Sequence, residues 1–225
     1  MLCNFHMHTT LSDGELSPVE LLRWAVAKQY DAVALTDHAG LAELDWLAGI
    51  LIPSCRLAQQ QWGLQAIPGV ELTHLPPKLI PEAARAAKEA GLELVVVHGE
   101  TPVEPVELGT NRAALSSPHV DILGHPGLLT EDEARMAADR GIFVEITARR
   151  GHSLANGLVA QRALEAGARL VLDSDAHAAG DLFDIAFAST VLRGAGIPEG
   201  LLDEILSRNS GLLLQRIGRE LPRSG

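Results

Sequence analysis

An α/β barrel of parallel strands is the fold class this sequence predicts, and three observations lead to it. Short apolar runs alternate with longer amphipathic stretches along the 225 residues, the pattern of strand–helix units joined by right-handed crossovers. Seven such units fill this length as a closed or nearly closed barrel. The apolar runs also finish repeatedly in His, Asp or Glu, which gathers polar chemistry at the C-terminal end of a barrel. A doubly wound open sheet is the alternative. That fold wants a glycine-rich turn after its first strand and one switch point for its chemistry. No Gly-x-Gly-x-x-Gly follows the first strand here.

The elements follow in order. Residues 2–5 read as the first strand. Ser17-Pro18-Val19-Glu20 is a helix start, with a Ser cap, Pro at the first helical position and acid in the first turn; that helix runs to about Gln29. Residues 32–35 are the second strand. A long helical stretch covers 41–62, with a break expected near Pro53. Residues 65–70 are the third strand. A helix over 81–90 is closed by Gly91, and 92–97 is the fourth strand. A short helix is expected over 104–115 and the fifth strand over 120–123. A helix over 130–140 is closed by Gly141, and 142–146 is the sixth strand. A helix over 155–166 is closed by Gly167, and 169–172 is the seventh strand. From Asp181 onward the chain reads as terminal helices, with a small last strand around 212–214.

Composition narrows the class. The chain is long enough for one α/β domain spanning 1–225 with a well-filled core, and no linker, repeat or low-complexity run divides it. Its formal net charge of −11 argues against a nucleic-acid or membrane-surface binder. An anionic substrate is still compatible, because metal charge in a site outweighs a global deficit. Cys3 and Cys55 are the two cysteines, too few and too unpatterned for a disulfide framework, so a reducing compartment is expected. No signal peptide opens the sequence. The longest apolar runs, such as 46–52, are far too short to span a bilayer. A cytoplasmic protein is the expectation; the oligomeric state is left open.

The chemistry lies at the strand ends. His6-x-His8 follows the first strand, and a pair just past a strand end can turn both rings onto one metal ion. Thr36-Asp37-His38 follows the second strand, Glu71 the third, His98 the fourth, His125 the fifth and Asp175-x-His177 the seventh. Imidazole and carboxylate together suit Zn²⁺, Mn²⁺ and Fe²⁺.

His6-Met7-His8 with Ser12-Asp13-Gly14, Thr36-Asp37-His38, Gly69-Val70-Glu71, Val97-His98, Gly124-His125-Pro126 and Asp173-Ser174-Asp175-Ala176-His177 together resemble the PHP superfamily, named for polymerase and histidinol phosphatase. The resemblance runs from about residue 2 to 177. It implies a distorted seven-stranded (β/α)7 TIM-like barrel, two or three divalent transition metal ions (Zn, Mn or Fe), and hydrolysis of phosphate esters. It further implies that His6, His8, Glu71 and Asp175 hold one ion. Glu71 would bridge to a second, held also by His98 and His125, and Asp13, His38 and His177 would hold a third. Glu71, Asp175 and His177 would be the catalytic residues. Some members carry His where this chain has Asp13, and a carboxylate there makes the third site harder and more tolerant of manganese or iron.

Phosphate ester hydrolysis must neutralise charge on phosphoryl oxygens and make a nucleophile from water, which paired cations about 3.5–4 Å apart accomplish. The expected substrate is a small phosphomonoester: histidinol phosphate, a nucleotide or a sugar phosphate. A phosphodiesterase or exonuclease is one alternative, although no basic, aromatic-laced stretch suggests a polynucleotide groove. A non-catalytic metal-binding regulatory module is another, and metal-assisted amide hydrolysis on a similar barrel a third. Arg149, Arg150 and His152, in the glycine-containing loop after the sixth strand, are the expected substrate contacts, since a guanidinium fork suits phosphate. Asn111 and Arg112 are further candidates. The Pro-containing loops 75–81 and 101–105 are expected to wall the pocket. Asp37 either orients an imidazole or satisfies a turn, and Asp173 caps its strand. Glu145 faces the barrel or its rim. His74 and His119 stand outside the motif.

Overall fold

The computed structural model describes residues 1–220. Eight strands, β1 (Cys3–Asn4), β2 (Ala32–Leu35), β3 (His38–Ala39), β4 (Gln65–Leu72), β5 (Leu94–His98), β6 (Ile122–Gly124), β7 (Phe143–Thr147) and β8 (Leu170–Asp173), form one parallel sheet. The order is β1-β2-β4-β5-β6-β7-β8, with β3 paired to β4. Leu35 pairs with Pro68 and His38 with Glu71, so β2 and β3 are one line in constant register, interrupted at Thr36-Asp37. The sheet therefore has seven strand positions. Its two edges meet where Met7 bridges Ala176 and the His8 N–H donates to the Ala176 carbonyl at 2.8 Å. The result is a nearly closed barrel of seven parallel strands ringed by helices.

The helices are α1 (Pro18–Ala27), α2 (Leu44–Trp62), α3 (Ile80–Glu89), α4 (Thr110–Ser116), α5 (Glu131–Arg140), α6 (Asn156–Ala166), α7 (Ile185–Gly194) and α8 (Ser210–Arg216). The Glu20 carboxylate accepts from the Ser17 N–H and Glu133 from the Thr130 N–H, each at 2.9 Å, closing the first turns of α1 and α5. Among the described residues, no helix is long and apolar enough to cross a membrane.

Three expectations fail. The long helix is not broken: α2 runs straight through Pro53. Pro53 and Gly49, whose carbonyl loses its donor, are both exposed, so the free acceptor faces solvent and is not buried unsatisfied. Leu47, Leu51, Cys55 and Ala58 meanwhile pack inward on both sides of the proline. The helix expected over 104–115 begins only at Thr110. Pro105 and Gly109, the latter at φ +95, keep the preceding residues out of helical geometry. The strand expected at 212–214 is helical, part of α8.

The reason for that last difference lies in the core. Two apolar layers form, one between sheet and helices and one inside the barrel. The interior layer includes Phe5, Ile67, Val96, Ile122, Phe143 and Val171, and Leu213 and Leu214 of α8 join it, both fully buried. A helix thus plugs the N-terminal end of the barrel, leaving the opposite end for chemistry.

Candidate metal centre

The strand ends converge as parallel pairing requires. Residues two apart on an extended segment share a face, so His6 and His8 both enter the barrel mouth without a special turn. His38 and Glu71 sit opposite one another across β3 and β4. His125 and Asp175 adopt positive φ, +21 and +50, where the chain leaves the strand direction and redirects each side chain inward.

Glu71 is the hub. Its carboxylate lies 3.3 Å from His6 Nε2, 2.7 Å from His38 Nδ1, 3.1 Å from His98 Nδ1 and 3.3 Å from His125 Nε2. Asp175 Oδ1 is 3.1 Å from His8 Nε2. Asp13 reaches His177 Nε2 at 3.1 Å and His38 Nε2 at 3.5 Å. Four groups at the mouth are possible cation cradles, each with donor atoms within 4.8 Å of one another: His6 with His8 and Asp175, His6 with Glu71 and His125, His38 with Glu71 and His98, and Asp13 with His8, His38 and His177. All nine residues carried over from the family motif are therefore brought together.

The donor set fits cations. His6 Nε2, both nitrogens of His8, both nitrogens of His125 and Asp175 Oδ1 are buried and make no hydrogen bond in the structure. The nearby carboxylate contacts lack hydrogen-bond geometry. Buried polar atoms left this way cost stability unless something binds them, and aligned imidazole nitrogens around carboxylates are what divalent ions require.

The electrostatics say the same. Burial would depress His6, yet Glu71, Glu145 and Asp175 hold it well above the ordinary imidazole value. Burial opposes charge on His98 and His38 also, but Glu71 and its neighbours raise them to about 9 and about 10. Burial would raise Glu71, and the imidazoles of His6, His98 and His38 bring it well below the carboxylate range.

Several residues fall elsewhere than expected. Asp37 touches no imidazole: it accepts from the Thr9 N–H at 2.7 Å and from the Ser12 hydroxyl at 2.8 Å, holding the turn after His8. Asp173 accepts from the Phe5 N–H, tying β8 to the segment after β1. Asn111 is buried and structural, donating to the Pro126 carbonyl at 2.9 Å. His152 joins the centre, its ring stacked 4.3 Å from His125 and its Nδ1 2.7 Å from the Thr101 hydroxyl. Arg149 and Arg150 do not join it. They line a separate cavity of about 340 Å³, where Arg149 Nη1 lies 3.5 Å from Asp181.

Two carboxylates have roles that the sequence pattern does not assign. Glu145, fully buried in β7, lies 2.8 Å from His6 Nδ1 and accepts from the His125 N–H at 2.6 Å. A lone acid in a buried strand, Phe143-Val144-Glu145-Ile146, was its signal. Glu104, in the proline loop, lies 3.1 Å from His98 Nε2 and 3.3 Å from His74 Nε2; no local pattern marks it. The 101–105 loop, through Glu104, reaches the open cavity of about 510 Å³ over the centre, which is lined also by Asp13, His38, Glu43, Thr73 and His74; the 75–81 loop does not line it. Another cavity, about 290 Å³, lies beside α8 and the preceding turn and holds none of these groups.

Residues 4–104 match the PHP domain family. An uncharacterized protein of Methanocaldococcus jannaschii is 45% identical over 218 residues, covering 96% of this chain and 100% of that protein. A probable phosphatase of Thermoanaerobacter pseudethanolicus is 27% identical over 225 residues, covering 90% and 89%. Among solved structures, a chain of archaeal ribonuclease P with mature tRNA is similar at TM-score 0.70 and 13% identity, covering 95% of this chain and 91% of that one. Histidinol phosphate phosphatase of Lactococcus lactis, complexed with zinc, L-histidinol and phosphate, is similar at TM-score 0.60 and 15% identity, covering 88% and 94%. At these identities the two structures speak for the barrel fold.

Proposed function

This chain belongs to the PHP domain family, and we propose that it is a metal-dependent hydrolase acting on a small phosphomonoester. The observation that carries the reading is the ring of unpartnered buried nitrogens around Glu71 and Asp175. The name of the Thermoanaerobacter relative and the ligands of the Lactococcus structure support the same class.

His6, His8, Glu71 and Asp175 would hold one ion, Glu71, His98 and His125 a second, and Asp13, His38 and His177 a third, with Zn, Mn or Fe as the candidates. Such ions, when bound, neutralise phosphoryl oxygens and bring the pKa of water to about 7. The chain's own residues prepare the site. Glu145 takes the Nδ1–H of His6 and so turns Nε2 inward. The Asp175 carbonyl, 2.9 Å from His177 Nδ1, leaves Nε2 for the side of Asp13. Glu71 supplies the shared negative charge, and with Asp175 and His177 forms the proposed catalytic set. His152, stacked on His125, is the proposed substrate contact nearest the ligands; Arg149 and Arg150 are proposed contacts for parts of a substrate that extend past them.

The cavity over the centre carries Asp13, Glu43 and Glu104 and no Lys or Arg. A polynucleotide would meet repulsion there, which favours a short substrate over a nuclease role. No membrane partner is proposed, and the cytoplasm is the proposed compartment. The test is a substrate panel on protein stripped by chelator and reloaded with Zn²⁺ or Mn²⁺. Hydrolysis of histidinol phosphate, a nucleoside monophosphate or a sugar phosphate, lost on stripping and restored on reloading, supports the reading. Efficient degradation of oligonucleotides without monoester hydrolysis replaces it with a nuclease.

A further inference from the structure

We propose that His74, His98 and Glu104 form a separate outer cation site at the rim of the cavity, taking a divalent transition ion such as Zn²⁺. Their donor atoms lie within 4.8 Å of one another. Glu104 Oε2 is 3.1 Å from His98 Nε2 and 3.3 Å from His74 Nε2, and the two rings are 5.1 Å apart. Two imidazoles and one carboxylate are a recognised donor set for zinc with a fourth position open to water.

One observation points to a ligand here, and the local backbone is consistent with it. His98 is only 3% exposed, and its Nε2, aimed at this group, has no hydrogen-bond partner. His74 holds φ +52, a left-handed conformation uncommon for a residue with a side chain, and such outliers concentrate where a side chain must be aimed. Neither His74 nor Glu104 belongs to the family motif at the strand ends.

The scaffold is firm. The Glu100 carboxylate accepts from the backbone N–H groups of Gly109 and Asn111 at 2.9 and 3.0 Å, and Asn111 reaches across to the Pro126 carbonyl. The loop carrying Glu104 is thereby tied at both ends. The second oxygen of Glu104 lies 3.4 Å from His152 Nε2, which orients the carboxylate and leaves Oε2 for an ion.

His98 faces both ways. Its Nδ1 is 3.1 Å from Glu71 of the inner centre, while Nε2 faces the outer group. To hold an ion at each nitrogen the ring would release its N–H proton to solvent and bridge as an imidazolate, which costs affinity, so the outer ion is the weaker one. His74 is also well exposed and Glu104 partly so, which makes the outer site open to exchange with solvent.

The test is equilibrium dialysis of the full chain against Zn²⁺ with metal analysis, over free concentrations wide enough to separate tight from weak ions. The unmodified protein is expected to bind its tight ions and one further, weaker ion. His74→Asn keeps a residue tolerant of positive φ and removes the imidazole. It should weaken that last ion by about tenfold or more and leave the tight ions in place, with Glu104→Gln weakening it likewise. His119→Asn, away from the group, should change nothing. A His74→Asn isotherm that superposes on the unmodified one overturns the proposal, as does the absence of any weaker ion. Loss of tight ions from the unmodified protein, with the weaker ion present, overturns the phosphoesterase reading and leaves the outer site standing.

Discussion

Glu145 holds His6 from behind: its Oε1 lies 2.8 Å from His6 Nδ1, on the edge of the ring opposite Glu71. The other oxygen accepts from the His125 N–H at 2.6 Å, so one buried carboxylate aligns two ligand segments. Glu145→Gln preserves shape but offers an amide N–H where an acceptor is needed. Carboxylates placed this way behind a ligating imidazole are worth about 10- to 100-fold in metal affinity. Competition against a chelator of known affinity should show a loss on that scale, and unchanged affinity would mean that Glu145 only packs.

Glu71→Ala removes the group shared by four imidazoles. More than one ion should be lost per chain. Turnover should fall with metal content, by at least about a hundredfold, the scale on which a site loses rate with a key electrostatic element. Metal analysis and phosphatase assay of the same sample decide it; retention of both would remove Glu71 from the centre.

Substrate contact is read from a different set. His152→Ala should lower kcat/KM by about ten- to a hundredfold, the scale of a lost charge-assisted hydrogen bond of roughly 1.5–3 kcal/mol. Arg149→Ala and Arg150→Ala should cost less for a compact substrate, because both line the neighbouring cavity and Arg149 faces Asp181. The reverse order would put the phosphate in the arginine loop.

The barrel plug has its own test. Leu213→Ala deletes a fully buried side chain at the closed end. Such truncations cost about 2–5 kcal/mol, and in a chain of this size each kcal/mol lowers Tm by about 2–4 °C. Urea unfolding should register the loss while metal content of the folded protein stays unchanged, since the plug and the ligands occupy opposite ends.

Alkaline pH should destabilise the protein through its thiols. Cys3 and Cys55 are both buried; burial pushes Cys3 up to about 12 and raises Cys55 as well. An unfolded thiol ionises near pH 8.5. A group raised on folding contributes fully below its unfolded value and loses that contribution as pH rises toward the folded one. Stability should therefore decline from about pH 8.5 upward, with Cys3→Ala showing a shallower decline. In the same vein, an aromatic disulfide reagent at pH 8 should leave both thiols untouched until denaturant is added. Rapid labelling of the native protein would contradict their burial.

The sequence by itself determined the barrel and the residues at its mouth. Apolar runs of strand length, each finishing in His, Asp or Glu, state the parallel order locally, and parallel pairing then aligns their ends without further instruction. That is why His6, Glu71, His98 and Asp175, scattered over most of the chain, meet at one place. Periodicity says which face of a segment is buried and nothing about what it is buried against. Glu145 finds His6 across 139 positions of sequence, and Glu104 meets His74 and His98 because a tied loop folds over the mouth. Only the tertiary structure decided that Leu213 and Leu214 form a helix: a short apolar run is ambiguous by periodicity, leucine favours a helix readily, and burying both side chains as a plug at the open end of the barrel settles the choice. The same long-range packing carries α2 through Pro53, where the local rule calls for a break.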